Sequence, residues 1–230
     1  MLYTKKNHRE TKEYQLLNDF LKMNFFSKYI DNEELHCTLI QEPYTGLGYP
    51  DLVAVIWDST ILNKWKEDRN KLTINDIKIL HHLYLNKKYK TILEVTIELG
   101  FSEKEVSKSI SQLFSSGLIK FNKSNKFKAL QKSEIFFIQE IISVEAKLKD
   151  WRRAFDQAYI NSFFASKSYI LFPEKSVTEQ MLNIYKNSGI GILAYEKNIN
   201  IMKEARKMAI PASLNSWLFN EYIGRTFEWQ

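Results

Sequence analysis

Apolar side chains along the chain follow two spacings, one typical of helices and one typical of strands. Between residues 11 and 30 they recur every three or four positions, which predicts an amphipathic helix from about Thr11 to Phe26. The segments Leu35 to Gln41 and Leu52 to Trp57 predict two strands, and the segment between them is rich in Pro and Gly, which favour turns. The segment Leu52 to Trp57 is apolar on both faces, as a central strand covered by helices would be.

Helical spacing then dominates between Asp58 and about Leu130, which indicates an inserted unit. A first helix is predicted around residues 74–84 and a second around 92–99, where Gly100 ends it. The sequence Ser102-Glu-Lys-Glu105 is a capping box, so a third helix is predicted to begin at Glu103. Residues 118–121 and 127–130 can pair as a hairpin. Three helices followed by a hairpin is the plan of a winged helix.

Strand patterns return after residue 134 and alternate with helices to about residue 195. Strands are predicted at residues 135–138, 141–148, 167–172 and 190–195, the last of these closing the sheet. Helices are predicted at residues 149–160, capped by Asp150, and around 177–185. This order is an α/β layout. A final helix from about Ser213 to Ile223 is expected to cover the sheet edge.

The strand that ends at Leu148 carries candidate chemistry. Side chains on a strand alternate between its faces, so Glu145 and Lys147 share one face while Ala146 points to the other. Asp51 opens the apolar strand upstream. If the two strands are neighbours, these acids and the lysine form one cluster, as a metal-dependent phosphodiester-cleaving site requires. The alternatives are an exposed strand face with cross-strand ion pairs for Glu145 and Lys147, and a turn-capping role for Asp51.

Composition narrows the class of protein without choosing a function. The 230 residues are 44% hydrophobic and 14% aromatic, which indicates a globular protein. A net charge of +6 fits a polyanionic partner, but it is also common in proteins that bind none. Cys37 is the only cysteine, which excludes an intrachain disulfide and a thiolate-rich metal site. No apolar run approaches the roughly 20 residues of a membrane span, so a cytoplasmic protein without a membrane partner is expected.

The block from Thr91 to Ile119 resembles the winged helix-turn-helix domains of bacterial regulators. The resemblance implies that the third helix enters the major groove of DNA and that the wing contacts its phosphates. The residues implied to contact nucleic acid are Lys104, Lys108 and Ser111 on the helix and Lys120, Lys123, Lys126 and Lys128 in or beside the wing. The alternatives are lysines that merely solvate a surface and a winged helix that holds a protein partner.

The rest of the chain resembles the PD-(D/E)xK nuclease superfamily. The motifs are Pro50-Asp51, Glu145-Ala-Lys147 and the downstream segment Trp151 to Ala158. In that family the aspartate starts the second core strand and the ExK triplet lies on the third, with insertions tolerated between them. The implied fold is α/β, with a restriction-endonuclease-like mixed sheet flanked by helices. Its discontinuous core would span residues 1–60 and 131–230, interrupted by a winged-helix insertion at 61–130.

The nuclease resemblance also implies a site and a cofactor. A hard cation, Mg²⁺ with Mn²⁺ able to substitute, would neutralise phosphate charge and lower the pKa of an attacking water. The implied metal ligands are Asp51, Glu145, the carbonyl of Ala146 and, as an additional helix acid, Glu13. Lys147 would orient the water and stabilise negative charge. Gln157 and Arg153 are weaker candidates for holding Lys147 or a phosphate.

The expected function is therefore that of a Mg²⁺-dependent DNA endonuclease, a deoxyribonuclease whose winged helix holds duplex DNA. A homodimer would supply two active sites for the two strands of a duplex. The alternatives are a DNA-binding regulator and an assembly protein, each with an inactive nuclease-like core. No glycine-rich phosphate loop follows a strand, which disfavours nucleotide hydrolysis.

Overall fold

The computed structural model describes residues 11–226. The α-helices in this range are α1 (Lys12–Lys22), α2 (Ile61–Lys64), α3 (Ile74–Asn86), α4 (Ile92–Leu99), α5 (Glu103–Ser115), α6 (Lys132–Ile135), α7 (Trp151–Asn161), α8 (Glu179–Tyr185) and α9 (Leu214–Thr226). The strands are β1 (Leu35–Gln41), β2 (Leu52–Asp58), β3 (Ile119–Phe121), β4 (Phe127–Ala129), β5 (Ile138–Ala146), β6 (Lys167–Pro173), β7 (Gly191–Tyr195) and β8 (Ile199–Lys203). None of these helices has both the length and the apolar character needed to cross a membrane.

The described chain forms two compact units, each built from separate stretches of sequence. The sheet unit contains residues 11–58 and Ile138–Pro211, and the helical unit contains Ser59–Phe137 and residues 212–226. The sequence prediction assigned all of 131–230 to the sheet. Instead, α9 belongs to the helical unit, where the ring of Trp217 lies 5.2 Å from that of Tyr84 and 5.3 Å from that of Phe136. A helix was predicted at about Ser213–Ile223 and expected to cover the sheet edge, whereas these ring contacts of α9 lie within the helical unit.

The sheet unit is built on six strands in the order β1-β2-β5-β6-β7-β8. Strands β1, β2 and β5 form an antiparallel meander, whereas β6 and β7 run parallel to β5. Helix α1 covers one face, with Leu17 and Phe20 packed among residues of β2 and β5. Helices α7 and α8 cover the other, through Ala158 and Met181. The predicted α/β class, a mixed sheet flanked by helices, is confirmed.

Two predicted strand boundaries of the sheet are wrong. Residues 135–138 were expected to be a strand, but α6 ends at Ile135 and β5 begins only at Ile138. The carboxylate of Glu134 accepts a hydrogen bond from the N–H of Gln131, and this local cap favours the helical turn. Strand β8 follows β7, which was expected to be the last strand. It is a five-residue edge strand in which Asn200, Ile201 and Met202 are exposed, although Ile199 and Ile201 alternate with asparagines as in a strand.

Within the helical unit, helices α3, α4 and α5 are followed by the β3–β4 hairpin. Each helix begins with a capping box, at Thr73, Thr91 and Ser102. The box predicted at Ser102 is confirmed, and α5 begins at Glu103 as expected. Gly100 ends α4 with a φ of 71°, a left-handed conformation that glycine adopts without strain.

A buried ion pair ties α9 to the first part of the helical unit. The guanidinium of Arg69 donates to both carboxylate oxygens of Glu221, at 3.0 and 2.7 Å, and to the carbonyl of Ile135 at 2.7 Å. The same guanidinium lies 4.2 Å above the ring of Trp65. The two charged side chains are 2% and 3% exposed, so each depends on the other for compensation.

Candidate metal centre at the start of strand β2

The loop between β1 and β2 sets the position of Asp51. The hydroxyl and the N–H of Thr45 both donate to the carbonyl of Gly48 at 3.0 Å, which closes a tight turn. Gly48 has a φ of 147°, in a region that other residues rarely adopt. The N–H of Glu42 then donates to the carbonyl of Asp51 at 3.2 Å. Asp51 is therefore held at the entrance of β2 by backbone contacts on the loop side.

The antiparallel pairing of β2 and β5 brings the two sequence motifs together. Leu52 lies opposite Val144, so the beginning of β2 meets the end of β5. The N–H of Ala146 donates to Asp51 Oδ2 at 2.8 Å. The adjacency required by the sequence prediction is present, and it extends to a direct hydrogen bond between the Pro-Asp and Glu-x-Lys motifs.

Glu145 is the most deeply buried member of this cluster, at 1% exposure. Its Oε1 accepts a hydrogen bond of 2.6 Å from Asn161 Nδ2, and its Oε2 is buried without a hydrogen-bond partner among the described residues. Burial, followed by the charge of Asp51, raises the pKa of Glu145 to about 8, although Asn161 and Lys147 act in the opposite direction. Burial also raises the pKa of Asp51, against the opposing charge of Lys147. Without a metal, the pair of carboxyl groups retains a proton at neutral pH.

Lys147 lies between two acids at the more open side of the cluster. Its Nζ donates to the carbonyl of Ala146 at 3.0 Å and lies 3.7 Å from both Asp51 Oδ2 and Glu13 Oε2. Exposure of the side chains increases outwards, from 10% for Lys147 to 24% for Asp51 and 42% for Glu13. The cluster therefore has a buried carboxyl at its base and an approach from solvent past Asp51 and Glu13.

The oxygen atoms present suit a divalent cation only in part. Within residues 11–226, no three His, Cys, Asp or Glu side chains are spaced to hold a metal ion. Asp51 and Glu145 form a pair, whereas Glu13, expected as a third acidic ligand, lies against Lys147. The unpartnered Oε2 of Glu145, beside a second carboxylate and the Ala146 carbonyl, nevertheless offers the oxygen donors that a hard cation prefers. A cation could replace the retained proton, so these residues fit such a group.

One residue at the site was missed by the sequence reasoning. Gln157 and Arg153 were the candidates from α7, but the Arg153 side chain is exposed. Gln157 Oε1 is buried without a hydrogen-bond partner, and no hydrogen bond between Gln157 and Lys147 is found in the described part of the chain. Asn161, one helical turn beyond Gln157, is the residue that reaches Glu145. The spacing of four residues between two polar side chains was the available signal.

The candidate nucleic-acid contacts lie in the helical unit. Lys104, Lys108 and Ser111 are exposed and occupy successive turns on one face of α5. In the hairpin segment the lysines differ in exposure: Lys120 and Lys123 are exposed, and Lys126 and Lys128 are partly buried. The three residues of α5 thus form an exposed polar surface, while the hairpin lysines do not share one environment.

Comparisons of the chain with protein-family models, with curated proteins and with solved structures found no match.

Proposed function

We propose that the sheet unit is a Mg²⁺-dependent nuclease domain that hydrolyses phosphodiester bonds in DNA. The observation that carries the proposal is the hydrogen bond from the Ala146 N–H to Asp51, beside the buried and unpartnered Oε2 of Glu145. It unites two short motifs that lie far apart in sequence. The order of elements supports the restriction-endonuclease-like resemblance: α1, three antiparallel strands, α7 and then a parallel strand.

The side chains divide the work of hydrolysis according to burial and charge. Asp51, Glu145 and the Ala146 carbonyl would hold the cation, and Asn161 keeps the Glu145 carboxylate oriented. When bound, the cation supplies charge neutralisation for the phosphate and an acidified water as nucleophile. Lys147, which now donates to the Ala146 carbonyl, would turn its ammonium towards the attacking water and the negative charge that develops on the phosphate.

The helical unit would hold the substrate as a winged helix interrupting the nuclease core. Three capped helices followed by a hairpin support this part of the proposal, together with the exposed Lys104 and Lys108 on α5. Lysines on such a surface neutralise backbone phosphates and thereby make binding depend on salt concentration.

A second candidate function is a DNA-binding regulator with an inert core. One observation favours it: within residues 11–226, no three His, Cys, Asp or Glu side chains, Glu13 included, are placed to hold a metal ion. This candidate predicts salt-sensitive binding to duplex DNA with no cleavage at any concentration of Mg²⁺ or Mn²⁺.

Incubation with supercoiled plasmid and Mg²⁺ or Mn²⁺ tests the nuclease proposal directly. The wild type is expected to nick the plasmid, and Asp51→Asn and Lys147→Met are each expected to lose about 100-fold or more in rate. Lys149→Met is the matched control, because Lys149 is exposed and lies two residues beyond Lys147. Equal nicking by all four proteins would refute the site. Duplex binding without cleavage would instead support the regulator.

A further inference from the structure

A hollow in the helical unit is lined by several positively charged side chains. It lies between the end of α3, the β3–β4 hairpin and the start of α6, and it has a volume of about 300 Å³. Four lysines line it, namely Lys87, Lys120, Lys128 and Lys132, with Leu83 and Tyr84 forming part of the apolar wall. Only two of these lysines, Lys120 and Lys128, belong to the contacts implied by the winged-helix resemblance.

The arrangement of Lys120 and Lys128 is unfavourable in the absence of an anion. The two residues are direct partners across the antiparallel β3–β4 pair, so their side chains lie on the same face of the hairpin. Like charges in directly opposed positions destabilise a strand pair. Two lysines in this position therefore favour an anion that binds between them.

The charge of the hollow is not compensated by any carboxylate of residues 11–226. Among the described residues, none of the four lysines forms an ion pair. Glu134 is close in sequence to Lys132, but its carboxylate accepts a hydrogen bond from the N–H of Gln131. The hollow has hydrogen-bond donors on several sides, since each lysine ammonium carries three N–H groups and no acceptor.

Aromatic rings, rather than acids, hold two of the ammonium groups. Lys132 Nζ lies 4.3 Å from the centre of the Phe136 ring, and Lys128 Nζ lies 4.7 Å from that of Tyr89. Burial lowers the pKa of Lys132, and no neighbouring charge contributes to that shift. Ring contacts orient an ammonium without neutralising it, so the groups remain able to bind an anion.

We propose that this hollow binds adjacent phosphate groups, supplied either by a free oligophosphate such as pyrophosphate or by the backbone of a nucleic acid. Four lysines around one hollow match a compact ligand with several negative charges better than they match a single carboxylate. The site shares no residue with the carboxyl cluster, and phosphate binding here does not require nuclease activity. The nucleic-acid source rests on the proposed DNA binding of the helical unit, whereas the oligophosphate source does not.

Binding measurements on the full chain in EDTA, where no cleavage occurs, test the site. Titration calorimetry with pyrophosphate and anisotropy with a labelled DNA duplex at several salt concentrations would compare three proteins. These are the wild type, Lys87→Gln/Lys132→Gln in the hollow, and Lys78→Gln/Lys88→Gln as a control. The control removes the same charge from two exposed lysines that do not line the hollow. Lys78 lies on α3, and Lys88 lies two residues beyond its end.

The outcomes distinguish the two sources of phosphate. A loss of pyrophosphate affinity of about tenfold or more in the hollow variant alone supports a free oligophosphate ligand. Weaker binding of duplex alone, with the slope of log affinity against log salt reduced by about 2, supports the nucleic-acid backbone. Losses with both ligands support the shared phosphate chemistry. If the hollow variant and the control bind both ligands equally well, or if the wild type binds neither, the proposal is wrong. A protein that lacks nuclease activity can still give either positive result.

Discussion

Replacing Glu145 by glutamine is expected to stabilise the metal-free protein, by an amount that grows with pH. The carboxyl group is 1% exposed, and its pKa in the folded protein is raised to about 8 from an ordinary value of 4.5. Glutamine has the same shape and no charge. Its carbonyl can accept the hydrogen bond from Asn161, so the substitution keeps this contact and removes the cost of ionisation.

The sign of the effect follows from proton binding. Above pH 4.5 the unfolded chain loses the Glu145 proton, while the folded protein keeps it until about pH 8, so stability falls as pH rises through this window. At about 1.36 kcal/mol for each pH unit, the wild type has lost about 3 kcal/mol by pH 7. Burial leaves little solvent to screen this cost. Glutamine carries no such penalty at any pH.

Urea unfolding in EDTA at pH 5, 6, 7 and 8 measures the difference directly. The variant is expected to exceed the wild type by less than about 1 kcal/mol at pH 5 and by about 3 kcal/mol at pH 7. Glu33→Gln is the control, because this substitution removes the same charge from an exposed position. Taking the difference between variant and wild type cancels the other titrating groups. A Glu145→Gln protein that is less stable than the wild type, or a difference that does not grow with pH, would refute the assignment of a buried, protonated carboxyl.

Three further predictions concern the carboxyl cluster and the buried ion pair between Arg69 and Glu221. In thermal-shift measurements, Mn²⁺ is expected to raise the melting temperature of the wild type more at pH 8.5 than at pH 6.5, because binding must displace the proton on Glu145. The variant Asp51→Asn should show no such rise. Asn161→Ala is expected to destabilise the protein by about 1–3 kcal/mol in urea unfolding, and to weaken Mn²⁺ binding, because a buried carboxylate oxygen loses its donor. Arg69→Met is expected to lower the free energy of unfolding by about 3–5 kcal/mol, because it leaves Glu221 buried and unpaired. Adding Glu221→Leu should recover much of this loss in urea unfolding. A double variant no more stable than the single variant would contradict this expectation.

Local patterns carried enough information to locate the carboxyl cluster. The apolar run of β2 indicated a central strand, and period-2 alternation put Glu145 and Lys147 on one face of β5. Both features depend on neighbours in the sequence, so they can be recognised without a structure. The pairing of these strands was an inference from the two motifs together, and the structure shows it.

Features that depend on partners distant in sequence were beyond that reasoning. Asn161 is one polar residue on an amphipathic helix until the helix packs against β5, where it becomes the donor to Glu145. The position of Glu13, whose Oε2 lies 3.7 Å from Lys147 Nζ, likewise depends on how α1 packs, and Glu13 stays a predicted metal ligand. The helix predicted at about Ser213–Ile223 was likewise expected on the sheet edge, whereas Trp217 of α9 packs against Tyr84 and Phe136. Each of these contacts is set by tertiary packing, which a single sequence does not encode in local spacing.

The interleaving of the two units bears on the order in which they can fold during synthesis. The helical unit receives α9 only after residues 138–211 of the sheet unit have been made. Until then, Arg69 lacks Glu221, and Tyr84 and Phe136 lack Trp217. An excised fragment of residues 61–130 would share this defect, since it lacks α9 altogether. The hairpin and its lysines are synthesised before α9, so the contacts of Tyr84 and Phe136 with Trp217 can form only after α9 has been made.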